Sequence, residues 1–293
     1  MDLVPFKICT YDCIYCQIGK TTEKTLVRKE YVSVEEILEE LRSFFMGEDL
    51  SVDHISLGGS GEPTLHSRIG DIIRGIKVIT SVPVAVITNG ALLSDEAVRK
   101  DLLEADVVLP SLDAVSPEVF EKINRPRYGF SVERVIEGLV EFRKTYEGKI
   151  WLEILFCKRV NDTPEELARM KETVSRIQPD QIHLNTVVRP PSEKWVAPLT
   201  QSEMEQIRAF FGERASIIPE FDRHLSIPTE GEVAERVLDI LRRRPLSLSD
   251  LTKMINISGE KIEASMVPLV AEGKVRIRLV GDSIFYEISE DLG

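Results

Sequence analysis

Three of the four cysteines, Cys9, Cys13 and Cys16, stand in one short stretch with the spacing C-x3-C-x2-C. Three thiolates on a short loop make a soft-metal site. A cubane [4Fe–4S] cluster has four irons, so three cysteines leave one iron without a protein ligand. An electron carrier closes its cluster with four cysteines, whereas three suggest chemistry at an open iron. A structural zinc site is the competing reading, but it wants four closed ligands, usually in two C-x2-C or Cys/His pairs. There is no second pair, and His54, His66, His183 and His224 are scattered. A disulfide framework is disfavoured too, because no secretory signal precedes these few cysteines. Cysteines that bind no metal are the remaining bland reading.

Other residues follow that could serve such an iron. Tyr15 stands immediately before Cys16, and Gly58-Gly59-Ser60-Gly61-Glu62-Pro63 lies downstream. Glycines let a backbone approach a ligand closely, and the Glu62 carboxylate can accept from an ammonium group. Alone, this run is equally a strand-to-helix turn. Thr88-Asn89-Gly90 and Ser111-Leu112-Asp113 each follow a predicted strand. Asn89-Gly90 is equally a turn and Asp113 equally a helix cap.

The order of the cysteines, Tyr15 and the glycine run resemble the radical S-adenosylmethionine (SAM) superfamily. The wording Cys-Thr-Tyr-Asp-Cys-Ile-Tyr-Cys-Gln-Ile-Gly is similar to a subgroup described as wyosine-synthetase-like Fe–S oxidoreductases. The resemblance implies a [4Fe–4S] cluster on Cys9, Cys13 and Cys16, with SAM chelating the fourth iron. It implies one-electron cleavage of SAM to methionine and a 5′-deoxyadenosyl radical, which takes hydrogen from a substrate. A reductant such as ferredoxin or flavodoxin is implied as partner. Tyr15 is expected against the adenine, and Gly59, Gly61 and Glu62 around the methionine moiety. Asn89, Ser111 and Asp113 are expected at the ribose or carboxylate. The usual Gly-Gly-Glu reads Gly-Gly-Ser-Gly-Glu here, which places the role on Gly61 and Glu62 rather than Gly58. The resemblance also implies a longer segment ahead of Cys9, so the sequence reads as a truncated or trimmed start.

No catalytic residue is assigned, but two candidates lie on one apolar strand. Glu153 and Cys157 are four positions apart and would share a face. If that face is the interior, Glu153 is a substrate contact and Cys157 a thiol inside the barrel. A single cysteine on an apolar strand is otherwise a small buried hydrophobe. Asn161 is a weaker candidate, and Arg189-Pro190-Pro191 is either a rim of the mouth or a rigid loop. Lys20, Lys24, Arg28 and Lys29 read as solvated surface, with an anion-attracting rim as the sharper alternative.

The elements that must position these residues alternate strand and helix. Strands are expected over 2–7, 54–57, 84–88, 107–109, 150–156 and 181–185. Helices are expected over 33–47, 69–79, 94–103, 116–123, 131–146, 163–177 and 200–211. Ser33-Val34-Glu35-Glu36 is a capping box, and Thr163-Pro164 opens a helix with a cap and an N1 proline. Six βα units over about 215 residues fall short of the ~250 residues of an eight-fold barrel. The fold class is therefore α/β, a partial (β/α)6 TIM-like barrel over 1–218 with a parallel sheet, and the family resemblance implies the same. Function in such sheets sits at the carboxyl ends of strands, where each motif above falls. Residues 219–231, with Pro219, Pro228 and Gly231, read as a linker. Over 232–293, three amphipathic helices precede two alternating strands joined by Gly281-Asp282, which reads as a small winged-helix domain.

The 293 residues are 43% hydrophobic and 29% charged, an ordinary globular composition. There is no run of about eighteen apolar residues and no signal-peptide pattern, so neither a membrane span nor secretion is expected. Cytoplasmic location suits thiolates and an oxygen-sensitive cluster. The net charge of −12 disfavours DNA. Residues 230–293 alone carry nine Lys and Arg against twelve Asp and Glu. RNA stays open through the Arg125-Pro126-Arg127-Tyr128 stretch and because the family neighbourhood includes tRNA-modifying enzymes. Beside the radical SAM enzyme stand two alternatives: an Fe–S redox sensor that binds DNA through its winged helix, and a radical SAM enzyme acting on a protein or small metabolite.

Overall fold

The computed structural model describes residues 1–47, 52–218, 233–242, 244–255, 258–280 and 283–289. By compactness the chain divides into two units. One comprises Met1–Ile14, Lys20–Val187 and Trp195–Ile218, and the other Tyr15–Gly19, Val188–Lys194 and Pro219–Gly293.

The first unit begins with Ile8–Cys9 (β1), which pairs in parallel with Glu23–Lys24 (β2). Val34–Gly47 (α1) follows, opened by the Ser33 hydroxyl accepting from Glu36 N at 3.1 Å. Glu30 supplies a second acceptor, taking Val34 N at 3.3 Å. Then come Ile55–Leu57 (β3), Ile69–Ile79 (α2), Val84–Thr88 (β4), Glu96–Asp101 (α3) and Val107–Pro110 (β5). Pro117–Ile123 (α4), Val132–Thr145 (α5), Lys149–Phe156 (β6), Pro164–Ile177 (α6), Gln181–Thr186 (β7), Gln201–Phe211 (α7) and Ala215–Ile217 (β8) complete it. Strands β3 to β8 form one parallel sheet in sequence order.

The expectations for the helices hold with small shifts, but two elements differ. Residues 2–7 are not the first strand of the sheet. Pro5 has no N–H to give, Lys7 takes a left-handed φ of 58°, and its N–H goes to Ser60 O at 2.7 Å. The sixth strand is instead β8, three residues long, too short to show a period in sequence. Nor does the helix expected over 94–103 begin at Ser94. Ala91–Ser94 is a 3-10 turn, and Asp95 caps α3 by accepting from Ala97 N at 2.9 Å.

The sheet has two unlike faces. Val86, Val108, Leu152, Ile154, Ile182 and Leu184 are buried on the helix side. Along β6 the other face, with Trp151, Glu153 and Leu155, stays half-open. On β4 the same face presents Ile87 at 42% exposure. Register aligns Ser111 with Glu153 and Glu153 with His183, so one polar row crosses this open face.

The second unit contains Val233–Leu241 (α8), Leu246–Ser247 (β9), Leu248–Ile255 (α9), Gly259–Ala271 (α10), Val275–Val280 (β10) and Ser283–Ile288 (β11). Its antiparallel sheet runs β10-β11-β9. Val237, Leu241, Leu251, Ile262, Met266 and Tyr286 form its core. The expected linker 219–231 and the Gly281-Asp282 turn lie outside the described residues. Among the described residues no helix is long and apolar enough to cross a membrane.

Helix α5 packs on the 3-10 turn Ala91–Ser94 through Gly138. A Cβ there would meet Ser94 N at 2.5 Å and Leu93 C at 2.6 Å, both backbone atoms that cannot swing aside. Gly138→Ala is expected to lower unfolding stability by about 1–3 kcal/mol despite the better helix propensity of alanine. Urea unfolding followed by circular dichroism measures this, and an unchanged midpoint would contradict the contact.

Candidate active site

The cysteine loop is clamped to the end of α4. Asp12 N donates to Asn124 O at 3.0 Å and Ile14 N to Ile123 O at 3.0 Å. Thr21 N donates to Asp12 Oδ1 at 2.8 Å, and the Thr21 hydroxyl to Tyr11 O at 2.6 Å. Cys9 and Cys13 are half-exposed, and each sulfur receives a side-chain amide. Asn89 Nδ2 stands 3.5 Å from Cys9 Sγ, and Asn124 Nδ2 3.4 Å from Cys13 Sγ.

Tyr15 and Cys16 fall in the segment that groups with the second unit. There Gly19 N donates to Cys16 O at 3.2 Å, and Arg189 Nη1 to Gln17 Oε1 at 3.2 Å, while Arg189 Nε is buried without a hydrogen-bond partner. Among the described residues no three His, Cys, Asp or Glu gather as tightly as a single metal ion needs. A four-iron cluster spreads its thiolates wider than one ion does. Half-exposed Cys9 and Cys13, each with a side-chain N–H donor at its sulfur, are donors suited to such a cluster.

The glycine run meets the protein before any ligand. A Cβ on Gly61 would lie 2.1 Å from Ile8 O, so only glycine lets the turn press against the strand that leads to Cys9. Gly59 has φ +134°, and a Cβ there would collide with the Asp2 carboxylate. Glu62 is 2% exposed. Its Oε1 accepts from Thr64 N at 3.1 Å, the Thr64 hydroxyl at 2.5 Å and the Thr88 hydroxyl at 2.6 Å, and its Oε2 from Asn89 N at 2.8 Å. Burial raises its pKa above the usual carboxylate value, while these hydrogen bonds pull it down. The sequence expects Glu62 to accept from an ammonium group. The carboxylate is enclosed and accepts from the protein's own donors, which ties the turn after β3 to the end of β4.

The polar strand ends converge in the same region. Asp113, 3% exposed, accepts from Asn124 Nδ2 at 2.8 Å and from Leu155 N at 3.0 Å. Asn161 is wholly engaged, giving Nδ2 to Asp113 O and Leu155 O at 2.8 Å and taking Cys157 N at 2.8 Å. Buried Glu166 accepts from Val115 N at 2.6 Å, Ser116 N at 3.0 Å and the Ser116 hydroxyl, holding the loop after Asp113. Tyr11, Asn89, Ser111, Asp113, Phe120 and Asn124 enclose a cavity of about 10 Å³. The Tyr11 hydroxyl is buried and has no hydrogen-bond partner, and burial drives its pKa well up, with the Cys13 and Glu62 charges adding. Sequence reasoning missed Tyr11, Asn124 and Glu166. Tyr11 could have been noticed between two cysteines, whereas Asn124 and Glu166 carry no local signal.

Glu153 lies on the half-open face of the sheet. Its pKa is raised from 4.5 to about 7, by burial first and the Asp113 charge second, against a hydrogen bond from Asn185. Cys157 does not share that face. β6 ends at Phe156, and Cys157 turns inward, fully buried, with its thiol pKa pushed up by burial. Alternation beyond the strand end is what misleads the sequence reading. Arg28 is no free rim charge either, since it bonds Thr64 O, His66 O and Asp101.

The family model of the Radical SAM superfamily matches residues 3–171. A protein from Brachyspira hyodysenteriae named GTPase Obg is 34% identical over 292 residues, covering 99% of this chain but only 43% of that protein. The chain thus spans less than half of that relative. The UPF0026 protein MJ1312 of Methanocaldococcus jannaschii is 30% identical over 290 residues, covering 94% of this chain and 89% of that one. A radical SAM methyltransferase from Sphaerobacter thermophilus is similar in fold, with a TM-score of 0.56 at 14% identity over 72% of this chain and 63% of that one.

The raised Glu153 pKa has a measurable sign. A carboxyl whose folded pKa exceeds its unfolded value stabilises below about pH 4.5, and that stability drains away as pH rises through about 7. Glu153→Gln is expected to flatten this slope and to leave the variant about 1–2 kcal/mol more stable than the parent at pH 8. Parallel pH-dependent unfolding curves would contradict the assignment.

Proposed function

This chain belongs to the radical SAM superfamily, whose members use a [4Fe–4S] cluster and SAM, and from that premise we propose what its own residues do. Cys9, Cys13 and Cys16 hold the cluster, and the fourth iron is left for SAM. Bound there, cluster and cofactor supply a 5′-deoxyadenosyl radical by one-electron cleavage of the SAM C–S bond. The observation that carries the assignment is the pair of amides on the two cysteine sulfurs, Asn89 on Cys9 and Asn124 on Cys13. A polar side chain aimed at a sulfur suits a thiolate with negative charge to stabilise.

Around this centre the chain's tasks divide. Gly61 lets the turn close on Ile8, and Glu62 fixes that turn to Thr88 and Asn89. Gly59, Ser111 and Asp113 mark the carboxyl ends of β3 and β5, where polar groups would meet SAM. Tyr15 is assigned to the adenine. Glu153 faces the open interior of the sheet and is assigned to the substrate. An external one-electron reductant such as ferredoxin or flavodoxin is the partner this chemistry requires.

For the substrate we favour a base in an RNA, through one local feature. Tyr128 is fully exposed on a loop with Arg125 and Arg127. Lys24, the register partner of Cys9, holds that loop by donating its Nζ to the carbonyls of Arg125 at 3.0 Å and Pro126 at 3.3 Å. An exposed aromatic among cations offers a stacking platform for an unpaired base. The helices and hairpin of residues 233–289 are assigned to a winged-helix domain that docks a macromolecule. A DNA-binding redox sensor would instead bind DNA at moderate salt and ignore SAM.

Anaerobic reconstitution with iron and sulfide, reduction and addition of SAM tests the core assignment. The expected outcome is 5′-deoxyadenosine in the parent and its loss, by more than a hundredfold, in Cys13→Ala. A Cys13→Ala variant that keeps the whole cluster would sink the ligand assignment. Addition of a tRNA pool is expected to stimulate turnover, and Tyr128→Ala to weaken that stimulation. Stimulation by a protein or metabolite fraction alone would turn the substrate reading over.

A further inference from the structure

The two asparagines beside the cysteines are oriented by partners of their own. Asn124 lies 3% exposed at the end of α4. Its Nδ2 carries two protons, one directed to Asp113 Oδ2 at 2.8 Å and one to Cys13 Sγ at 3.4 Å. A carboxylate accepts only, so Asp113 forces the nitrogen rather than the oxygen of the amide to face that corner. Asp113 is itself held by Leu155 N. Asn89 is fixed from its other side. Ala91 N donates to Asn89 Oδ1 at 3.1 Å, which leaves Nδ2 to reach Thr10 Oγ1 at 2.8 Å and Cys9 Sγ at 3.5 Å. Thus both amides present N–H to sulfur, and in neither case can a simple flip replace the donor by the acceptor.

The C-x3-C-x2-C spacing requires neither residue. A cluster can be ligated without them, so their fixed geometry calls for another explanation. Reduction adds one negative charge to a cluster, much of it on the sulfurs. An N–H donor to a thiolate sulfur stabilises the reduced form more than the oxidised one, and so raises the reduction potential. We propose that Asn89 and Asn124 are positioning residues that set the potential of the cluster, Asn124 through Asp113 and Asn89 through the turn after β4. The pair makes the cluster easier to reduce and links that ease to Asp113, a strand-end carboxylate expected at the SAM site.

The inference rests on the three cysteines being the cluster ligands, and the test separates the two. Full-length protein is reconstituted anaerobically, and its iron and sulfide content is measured. A parent protein that takes up no cluster sinks the ligand assignment. With the cluster in place and SAM omitted, midpoint potentials are read by redox titration followed by electron paramagnetic resonance. Asn124→Leu and Asn89→Leu are each expected to disfavour reduction about tenfold, a shift of about 59 mV to more negative potential. Potentials equal to the parent's in both variants at full cluster content would overturn the inference. Should either variant fail to hold a cluster, the parent alone decides. Its reduced cluster is expected to show exchangeable proton couplings that vanish in deuterated buffer, and their absence would overturn the inference equally.

Discussion

A carboxylate taken out of water must find donors or lose its charge, and three of them in this chain find donors on a neighbouring loop. Glu62, after β3, binds the end of β4 through Thr88 and Asn89. Asp113, after β5, binds Asn124 at the end of α4 and the backbone of β6 at Leu155. Glu166, in the first turn of α6, binds the loop after Asp113. Each tie runs sideways, from one βα unit to another, at the carboxyl ends of the strands. Parallel strands hydrogen-bond along their length, but the loops beyond them have no ladder to share. Buried charge supplies one, since a carboxylate accepts several charge-assisted bonds and leaving any of its donors unpaired is costly. The site loops are therefore tied together by the same groups that make them polar.

This arrangement explains what could be read from the sequence and what could not. Hydrophobic period located β4, α2, β6, α6 and α7 closely, because each alternates or repeats over enough residues to show it. Thr163 was legible as a cap, and it accepts from the third helical N–H as that pattern requires. β8 was not legible, since three residues define no period. Residues 2–7 looked like a strand, but Pro5 and the left-handed Lys7 divert them onto the glycine turn. The cysteines, the glycine run and the polar strand ends were legible as types. Their partners were not, because Asn124 is 111 residues from Cys13 and Glu166 is 50 from Ser116. Spacing rules describe neighbours along the chain, and these contacts are neighbours only after the sheet has formed.

The glycine run shows how one residue pattern can answer two questions. Read as sequence, it offers a backbone bare enough for a ligand. In the fold, Gly61 first serves Ile8 O and Gly59 first serves Asp2. These uses do not compete, because a turn pressed flat on the strand leading to Cys9 is also a turn fixed beside the cysteine loop. Glu62 follows the same logic. Its charge is spent inward, on Thr88 and Asn89, and Asn89 then reaches Cys9. The motif acts on the cysteine loop through packing and hydrogen bonds of its own.

Parallel sheets are ordinarily covered on both faces and read as continuous apolar strands. Here β6 alternates, with its helix side buried and its other side carrying Trp151, Glu153 and Leu155 only half-covered. Leaving one face of a parallel sheet unsealed forgoes apolar burial, and a polar row of Ser111, Glu153 and His183 crosses it. The Trp151 indole N–H is buried there without a hydrogen-bond partner, between the rings of His54 at 5.9 Å and His183 at 5.4 Å. A fold selected for stability alone would fill this face with Val and Ile. This face keeps polar groups and space, and the raised pKa of Glu153 is the electrostatic mark of that half-enclosed surface.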